Sequence, residues 1–355
     1  TQNKEITAAK KDQSLTNYVN PFIGTGGHGH TYPGASMPFG MMQLSPDTRL
    51  DGWDGCSGYH YSDEYIYGFS HTHLSGTGVS DYGDILLMPT NKVVFNNGAD
   101  GKDGYRSHFS HQNEIASPGY YKVLLDSTNI IVELTTTLRA GMHKYTFPSA
   151  ENQFLILDLE HRDKVIDAHI EQISEKEYQG FRHSEAWAKD QRLFYYIKFS
   201  HALKEELGAK LPLDFFKAAF QFDNPNNEPV YVSIGISAVD QKGALKNLEE
   251  ELGNKSFEQI KTEAEQIWEK QLEKIVVESP DNDYKTNFYS SLYHSMLAPN
   301  LYQDVDGRYR GMDLNIHQNT NFDYYTVFSL WDTYRAAHPL YTIIEQDRTN
   351  DFINT

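Results

Sequence analysis

The sequence predicts a β-rich domain of antiparallel strands followed by helices, and three observations carry that expectation. From residue 18 to residue 241 the chain is built of short alternating or wholly apolar runs separated by turn residues, with no long helical pattern between them. After Lys242 the hydrophobic period changes from two to about three and a half. A window at 20–89 then departs from both patterns, because it crowds glycines, paired histidines, Trp53 and several tyrosines into polar loops. That mixture suits a polar, aromatic-lined pocket better than a core.

Residues 1–17 are polar and lack the apolar stretch of a signal peptide, so they read as a disordered mature N-terminus. In the β-sandwich expected over 18–241, the runs 120–125, 130–135, 140–147, 154–159, 193–199 and 230–237 have strand length and are rich in β-branched and aromatic residues. Pro, Asn and Ser at 148–152 and 224–229 supply the turns. Many strands without intervening helices indicate antiparallel pairing. Over 242–278 a helical linker is expected. Its main helix, 256–275, opens with Ser256 and Gln259 in capping-box spacing and carries Phe257, Ile260, Ala264, Ile267, Trp268, Leu272 and Ile275 on one stripe. A further helix over 280–297 can be capped by Asp281 or Asn282. A third is expected over 325–344, bent near His338 and Pro339. Two or three helices cannot close a helical domain by themselves, since each keeps an apolar stripe uncovered. The span 279–355 is therefore expected to begin a domain that continues beyond it.

With 49 acidic against 31 basic residues the net charge is -18, which repels nucleic acid and anionic lipid and favours a neutral or cationic partner. The 24 Tyr, 19 Phe and 4 Trp suit carbohydrate faces, and equally a Tyr-rich β-protein. A single cysteine, Cys56, excludes an internal disulfide. No apolar run approaches the length of a membrane span.

Candidate site residues fall in two places. In the first, Gly26 and Gly27 let the backbone approach a ligand, Trp53 offers an apolar face to a pyranose, and Asp54 accepts from its hydroxyls. His28 and His71 lie in the same window, and with His30 and His73 they also compose, on paper, a zinc set. In the second, Trp331, Asp332 and Arg335 share one helical turn, so a carboxylate and a guanidinium can grip neighbouring hydroxyls. An ordinary ion pair at that spacing is the alternative. Glu160, His161 and Arg162 follow an apolar strand and read as a solvated strand end.

The phrases Val19-Asn20-Pro21-Phe22-Ile23-Gly24-Thr25 and Pro33-Gly34-Ala35-Ser36-Met37-Pro38-Phe39-Gly40, followed about three hundred residues later by Phe328-Ser329-Leu330-Trp331-Asp332-Thr333-Tyr334-Arg335, resemble the corresponding blocks of glycoside hydrolase family 92, in the same order. The resemblance implies that the sandwich and linker helices lead into the first helices of an (α/α)6 barrel over 279–355. It also implies an inverting, calcium-dependent exo-α-mannosidase, with α-1,2-mannosides of N-glycans or mannan as expected substrates and secretion to a bacterial periplasm or cell surface. Inversion needs a carboxylic acid and a carboxylate separated by a water, and the resemblance places both beyond residue 355. Within this chain it implies mannose binding by Gly26, Gly27, His28, Trp53, Asp54, His71, Trp331, Asp332 and Arg335. No EF-hand-like loop occurs, so the Ca2+ ligands are expected mainly beyond the chain as well. The rival expectation is a non-catalytic carbohydrate-binding sandwich.

Overall fold

A computed structural model describes residues 14–204 and 216–355. The expected disorder of residues 1–13 lies outside the described residues. Residues 14–17, expected with them, are instead ordered: Leu15–Tyr18 forms a 3-10 turn with Leu15 and Thr16 buried. Ser14 Oγ donates to Glu269 Oε2 at 2.5 Å, which ties the entry of the chain to a helix more than 250 residues away.

Two antiparallel sheets share one core. The six-stranded sheet runs in spatial order Ala35–Ser36, Gln43–Asp47, Gly68–Ser70, Leu86–Thr90, Phe154–Asp158 and Lys217–Gln221. The eight-stranded sheet runs Lys164–Ser174, Glu177–Glu185, Gln191–Phe199, Val230–Ser237, Ala140–Thr146, Ile130–Thr136, Tyr120–Leu125 and Glu114–Ser117. Phe154–Asp158, apolar up to Asp158, is wholly buried because it lies between Leu86–Thr90 and Lys217–Gln221. Val123, Val132, Tyr195, Ile197, Val232 and Ile234 of the larger sheet meet Leu86, Met88, Ile156 and Phe220 of the smaller one in a single cluster.

Helix α1, Gln241–Glu251, lies on the outer face of the larger sheet. Gly235 permits this, since a Cβ there would stand 2.2 Å from the Ala244 carbonyl. Helix α2, Phe257–Leu272, has the reciprocal capping box, with Gln259 N donating to Ser256 Oγ at 3.3 Å and Ser256 N donating to Gln259 Oε1 at 2.8 Å. Its buried face holds Phe257, Ile260, Ala264, Trp268 and Leu272, while Ile267 is turned out. Trp268 is fully buried and donates Nε1 to the Ser36 carbonyl at 2.7 Å, joining helix to sheet. Helix α3, Asn282–Ser295, starts where Asp281 accepts from Asp283 N.

The helix expected over 325–344 is not continuous. Tyr325–Thr326 pairs as a short strand with Asn300–Leu301, because an aromatic and a β-branched residue suit a ladder. Val327 then takes a positive φ of 62°, and two short helices follow, α4 over Leu330–Thr333 and α5 over Ala337–Ile344. Pro339 sits in the first turn of α5, where no intrahelical partner exists for an N–H, so it marks a start rather than a bend. Helix α6 is Gln346–Asn354.

Candidate functional site

The Gly-rich loop is held by its own backbone and by His60. Gly27 adopts φ 61°, and Gly29 packs so closely that a Cβ would fall 1.9 Å from the Gly24 carbonyl oxygen. Ser62 N donates to His60 Nδ1, so the other ring nitrogen carries the proton and donates to the Gly27 carbonyl at 3.0 Å. Gly26 lies in the same turn, which closes through Gly29 N to the Gly26 carbonyl.

Trp53–Gly55 is a single 3-10 turn whose tryptophan is 57% exposed. His28 and His30 flank the indole at 5.5 and 4.3 Å between ring centroids, the latter edge-on. His28 Nδ1 bonds Asp54 Oδ1 at 2.9 Å, and this contact holds the Asp54 carboxyl below its ordinary range. Gly26, Gly27, His28, Trp53 and Asp54 thus form one exposed cluster. Arg162, expected at a solvated strand end, is in fact buried. Its guanidinium donates to the Gly55 carbonyl and to Ser80 Oγ, fastening the Trp53 turn to the loop around residue 80. Arg162 was illegible in sequence because its partners come from two distant loops.

His71 is not part of this cluster. It is fully buried between the sheets, with Nδ1 donating to the Ile85 carbonyl at 2.6 Å and Nε2 meeting His143 Nε2 at 2.9 Å. No edge is left for a sugar, because both ring nitrogens are engaged. His73 is likewise buried, against Gln43 and Asp47. The zinc set does not assemble: among the described residues no group of three or more His, Cys, Asp or Glu is placed to hold a metal ion.

Residues 74–79 connect the first cluster to the second. Gly76 N donates to the His30 carbonyl at 2.6 Å, and Gly78 packs so tightly on the Trp53 indole that a Cβ would stand 2.7 Å from Nε1. Thr77 then lines two adjoining cavities. One, of about 170 Å³, is walled by Ser75, Gly76, Thr77, His294, Asp332 and His338. The other, of about 390 Å³, is walled by Thr77, Asp81, Trp187, Gln191, Leu330 and Trp331. The cavities share Val327, Phe328 and Ser329.

Asp332 and Trp331 are exposed on α4 rather than enclosed in an apolar helix, and Trp331 is 78% exposed. Asp332 accepts from Ser329 Oγ, which fixes its carboxylate at the mouth of the smaller cavity. Arg335 does not join it. Its Nε donates to the Tyr334 hydroxyl at 2.8 Å, and it lines neither cavity. The sharing of a face expected from three-residue spacing fails because α4 ends at Thr333.

Comparison with known proteins gives the arrangement a lineage. The profile of the glycosyl hydrolase family 92 N-terminal domain matches residues 18–237, and that of the family's catalytic domain matches residues 243–355. A family GH92 α-mannosidase from Bacteroides thetaiotaomicron superposes with a TM-score of 0.88 at 36% identity, over 96% of this chain and 49% of that one; it has also been solved in complex with mannoimidazole. An inverting GH92 mannosidase from the same organism gives a TM-score of 0.84 at 26% identity, over 98% of this chain and 49% of that one. A fungal protein of Arthroderma benhamiae, described as an uncharacterised secreted glycosidase, is 28% identical over 83% of this chain and 43% of its own length. The chain therefore spans somewhat under half the length of these relatives.

Proposed function

The chain belongs to glycoside hydrolase family 92, and from that premise we propose that it forms the sugar-gripping part of an inverting exo-α-mannosidase. The observation that supports this most is the loop at 74–79, which seats against Trp53 at one end and walls the cavity of Asp332 at the other. A terminal mannose lying along that loop stacks a C–H face on Trp53 and donates hydroxyl hydrogens to Asp54 and Asp332. Holding the ring fixes the glycosidic bond for attack, and such positioning supplies much of the rate of a displacement of this kind. In this proposal the chain binds and orients, and neither the acid nor the base is assigned to any of its 355 residues.

The finer features belong to the same proposal. The helices after residue 279 are read as the opening of an (α/α)6 barrel, preceded by a sandwich over 18–241 and a linker over 242–278. Preference for α-1,2-linked mannose on N-glycans or mannan fits a neutral substrate facing a chain of net charge -18. Export to a periplasm or cell surface agrees with the secreted fungal relative, and no described helix is long and apolar enough to cross a membrane. Calcium dependence is proposed from the family alone. Among the described residues no three or more His, Cys, Asp or Glu are grouped to hold a metal ion, and no step is routed through calcium.

The test is release of mannose from α-1,2-mannobiose by the intact protein and by its Asp332→Asn variant. Removing a charged acceptor from sugar hydroxyls costs about 2 kcal/mol, a fall of about thirtyfold in kcat/KM. An unchanged rate in the variant removes Asp332 from the grip.

A further inference from the structure

Behind the Gly-rich loop a carboxylate is buried among hydrogen-bond donors. Glu114 opens the edge strand Glu114–Ser117, and its side chain has no exposed surface. The Tyr121 hydroxyl donates to Oε1 at 2.5 Å, and the Tyr59 hydroxyl reaches both carboxylate oxygens at 3.0 and 3.1 Å. His111, in the 3-10 turn His111–Asn113 just before the strand, sets Nδ1 2.6 Å from Oε2. The other nitrogen of that ring, Nε2, lies 2.6 Å from the Tyr61 carbonyl oxygen. The imidazole also stacks flat on the Tyr61 ring, with 3.9 Å between centroids and 4° between planes.

These contacts fix the number of protons. A carbonyl only accepts, so Nε2 carries a hydrogen and donates to Tyr61. A neutral His111 would then turn a bare Nδ1 toward the carboxylate, with lone pairs meeting at 2.6 Å. The pair therefore holds one proton more than a neutral imidazole and a carboxylate do, shared between Nδ1 and Oε2. Burial raises the Glu114 carboxyl above its ordinary range, which helps to keep that proton in place. Tyr59 and Tyr121 stay protonated, since burial and the neighbouring Glu114 push both phenols up. Also beside the pair are the exposed Tyr61 phenol, Asp63, which pairs with Arg49, and His60, which donates to the Gly27 carbonyl.

Tyr61 passes this constraint on to the Gly-rich loop. Its N–H donates to the Thr25 carbonyl at 2.9 Å, its ring meets Phe22 edge-on, and a Cβ on Gly26 would lie 3.6 Å from the Tyr61 Cβ. We propose that His111 is a positioning residue, which through the proton shared with Glu114 clamps Tyr61 and so holds the Gly26-Gly27 turn and His28 against Trp53. The grip on a terminal sugar then weakens as the pH rises and the proton leaves, because a bare Nδ1 is repelled by a carboxylate. The identity of that sugar rests on the mannosidase reading, whereas the clamp itself is a property of the fold. The folded pair keeps a proton that the unfolded chain has lost at neutral pH, so the clamp also makes stability fall as the pH rises.

Glu114→Gln in the intact protein is the test. Its amide can donate to a neutral Nδ1 while its oxygen accepts from Tyr59 and Tyr121, so the clamp closes without the extra proton. In the wild type, KM for α-1,2-mannobiose is expected to rise about tenfold from about pH 6 to about pH 9, with kcat of wild type and variant keeping a constant ratio. In Glu114→Gln, KM should stay within about twofold over that range. His111→Ala, at a half-buried position that does not depend on the amide fitting, should show at every pH the high KM that the wild type reaches only at the alkaline end. Denaturant midpoints give a readout without sugar: that of the wild type should fall relative to that of Glu114→Gln as the pH rises. A midpoint difference that does not change with pH overturns the shared proton. A KM with the same pH dependence in wild type and Glu114→Gln, or a KM in His111→Ala equal to that of the wild type at the acid end, overturns the positioning role. If no variant releases mannose while the midpoints still diverge, the mannosidase reading falls and the clamp stands.

Discussion

Burial of the His71 and His143 pair makes part of this protein's stability depend on pH, with a sign and size that follow from the hydrogen bonds. The Ile85 carbonyl can only accept, so His71 carries its proton on Nδ1 and presents a bare Nε2. His143 must then donate from Nε2 to His71, and its Nδ1 accepts from the Tyr145 hydroxyl at 2.8 Å. Every position is filled with both rings neutral, and there is no place for another proton. Burial accordingly lowers His71 from 6.5 to about 3, and lowers His143 as well. The unfolded chain binds a proton below pH 6.5 that the folded chain refuses until about 3, so this stability is whole above 6.5 and drains away as the pH falls. At pH 5, about 1.5 units below the ordinary value, the loss at His71 is about 2 kcal/mol. Asp163, which burial pushes up to about 7, acts in the opposite direction, so a bare pH profile mixes the two. Comparison with His71→Gln isolates the histidine, because Gln can still donate to Ile85 and accept from His143 but does not titrate. Denaturant melts should show the variant less stable by about 1–3 kcal/mol at pH 7.5, with the gap narrowing by about 2 kcal/mol at pH 5. A gap that stays constant between those pH values refutes the neutral chain.

Trp53→Ala should raise KM for α-mannobiose about tenfold and leave the melting temperature unchanged, because the indole is largely exposed and its work is stacking. Steady-state kinetics and a thermal melt on one sample check both halves. Trp268→Ala should do the reverse, lowering stability by roughly 3–5 kcal/mol by opening a cavity and orphaning the Ser36 carbonyl, as read from the denaturant midpoint.

Legibility followed how local each cause was. The strands 120–125 and 230–237 and the box at Ser256 were readable because alternation and capping depend only on neighbours along the chain. Ile267 fitted an apolar stripe yet faces solvent, since period alone does not say how wide the covering layer is. The 325–344 segment was misread because the partner that draws Tyr325 and Thr326 into a strand lies at Asn300 and Leu301. At the site, Trp53, Asp54 and the Gly26-Gly27 turn were visible as a loop rich in glycine and aromatics. His71 shared that window but belongs to the core, because its neighbours in space are Ile85 and His143. Arg162, Asp81 and Gln191 carried no signal, as each matters through contacts more than 75 residues away. Trp187 did carry one: a tryptophan among Ala, Lys and Asp at a hairpin tip has no bulky apolar neighbour in the chain to bury it.

The most direct measurement is a crystal structure of the intact protein with a mannose-mimicking inhibitor. The account predicts the inhibitor ring on the loop at 74–79, with one face on Trp53 and a hydroxyl on Asp332. A ring that touches neither residue, however tightly it binds elsewhere, contradicts it.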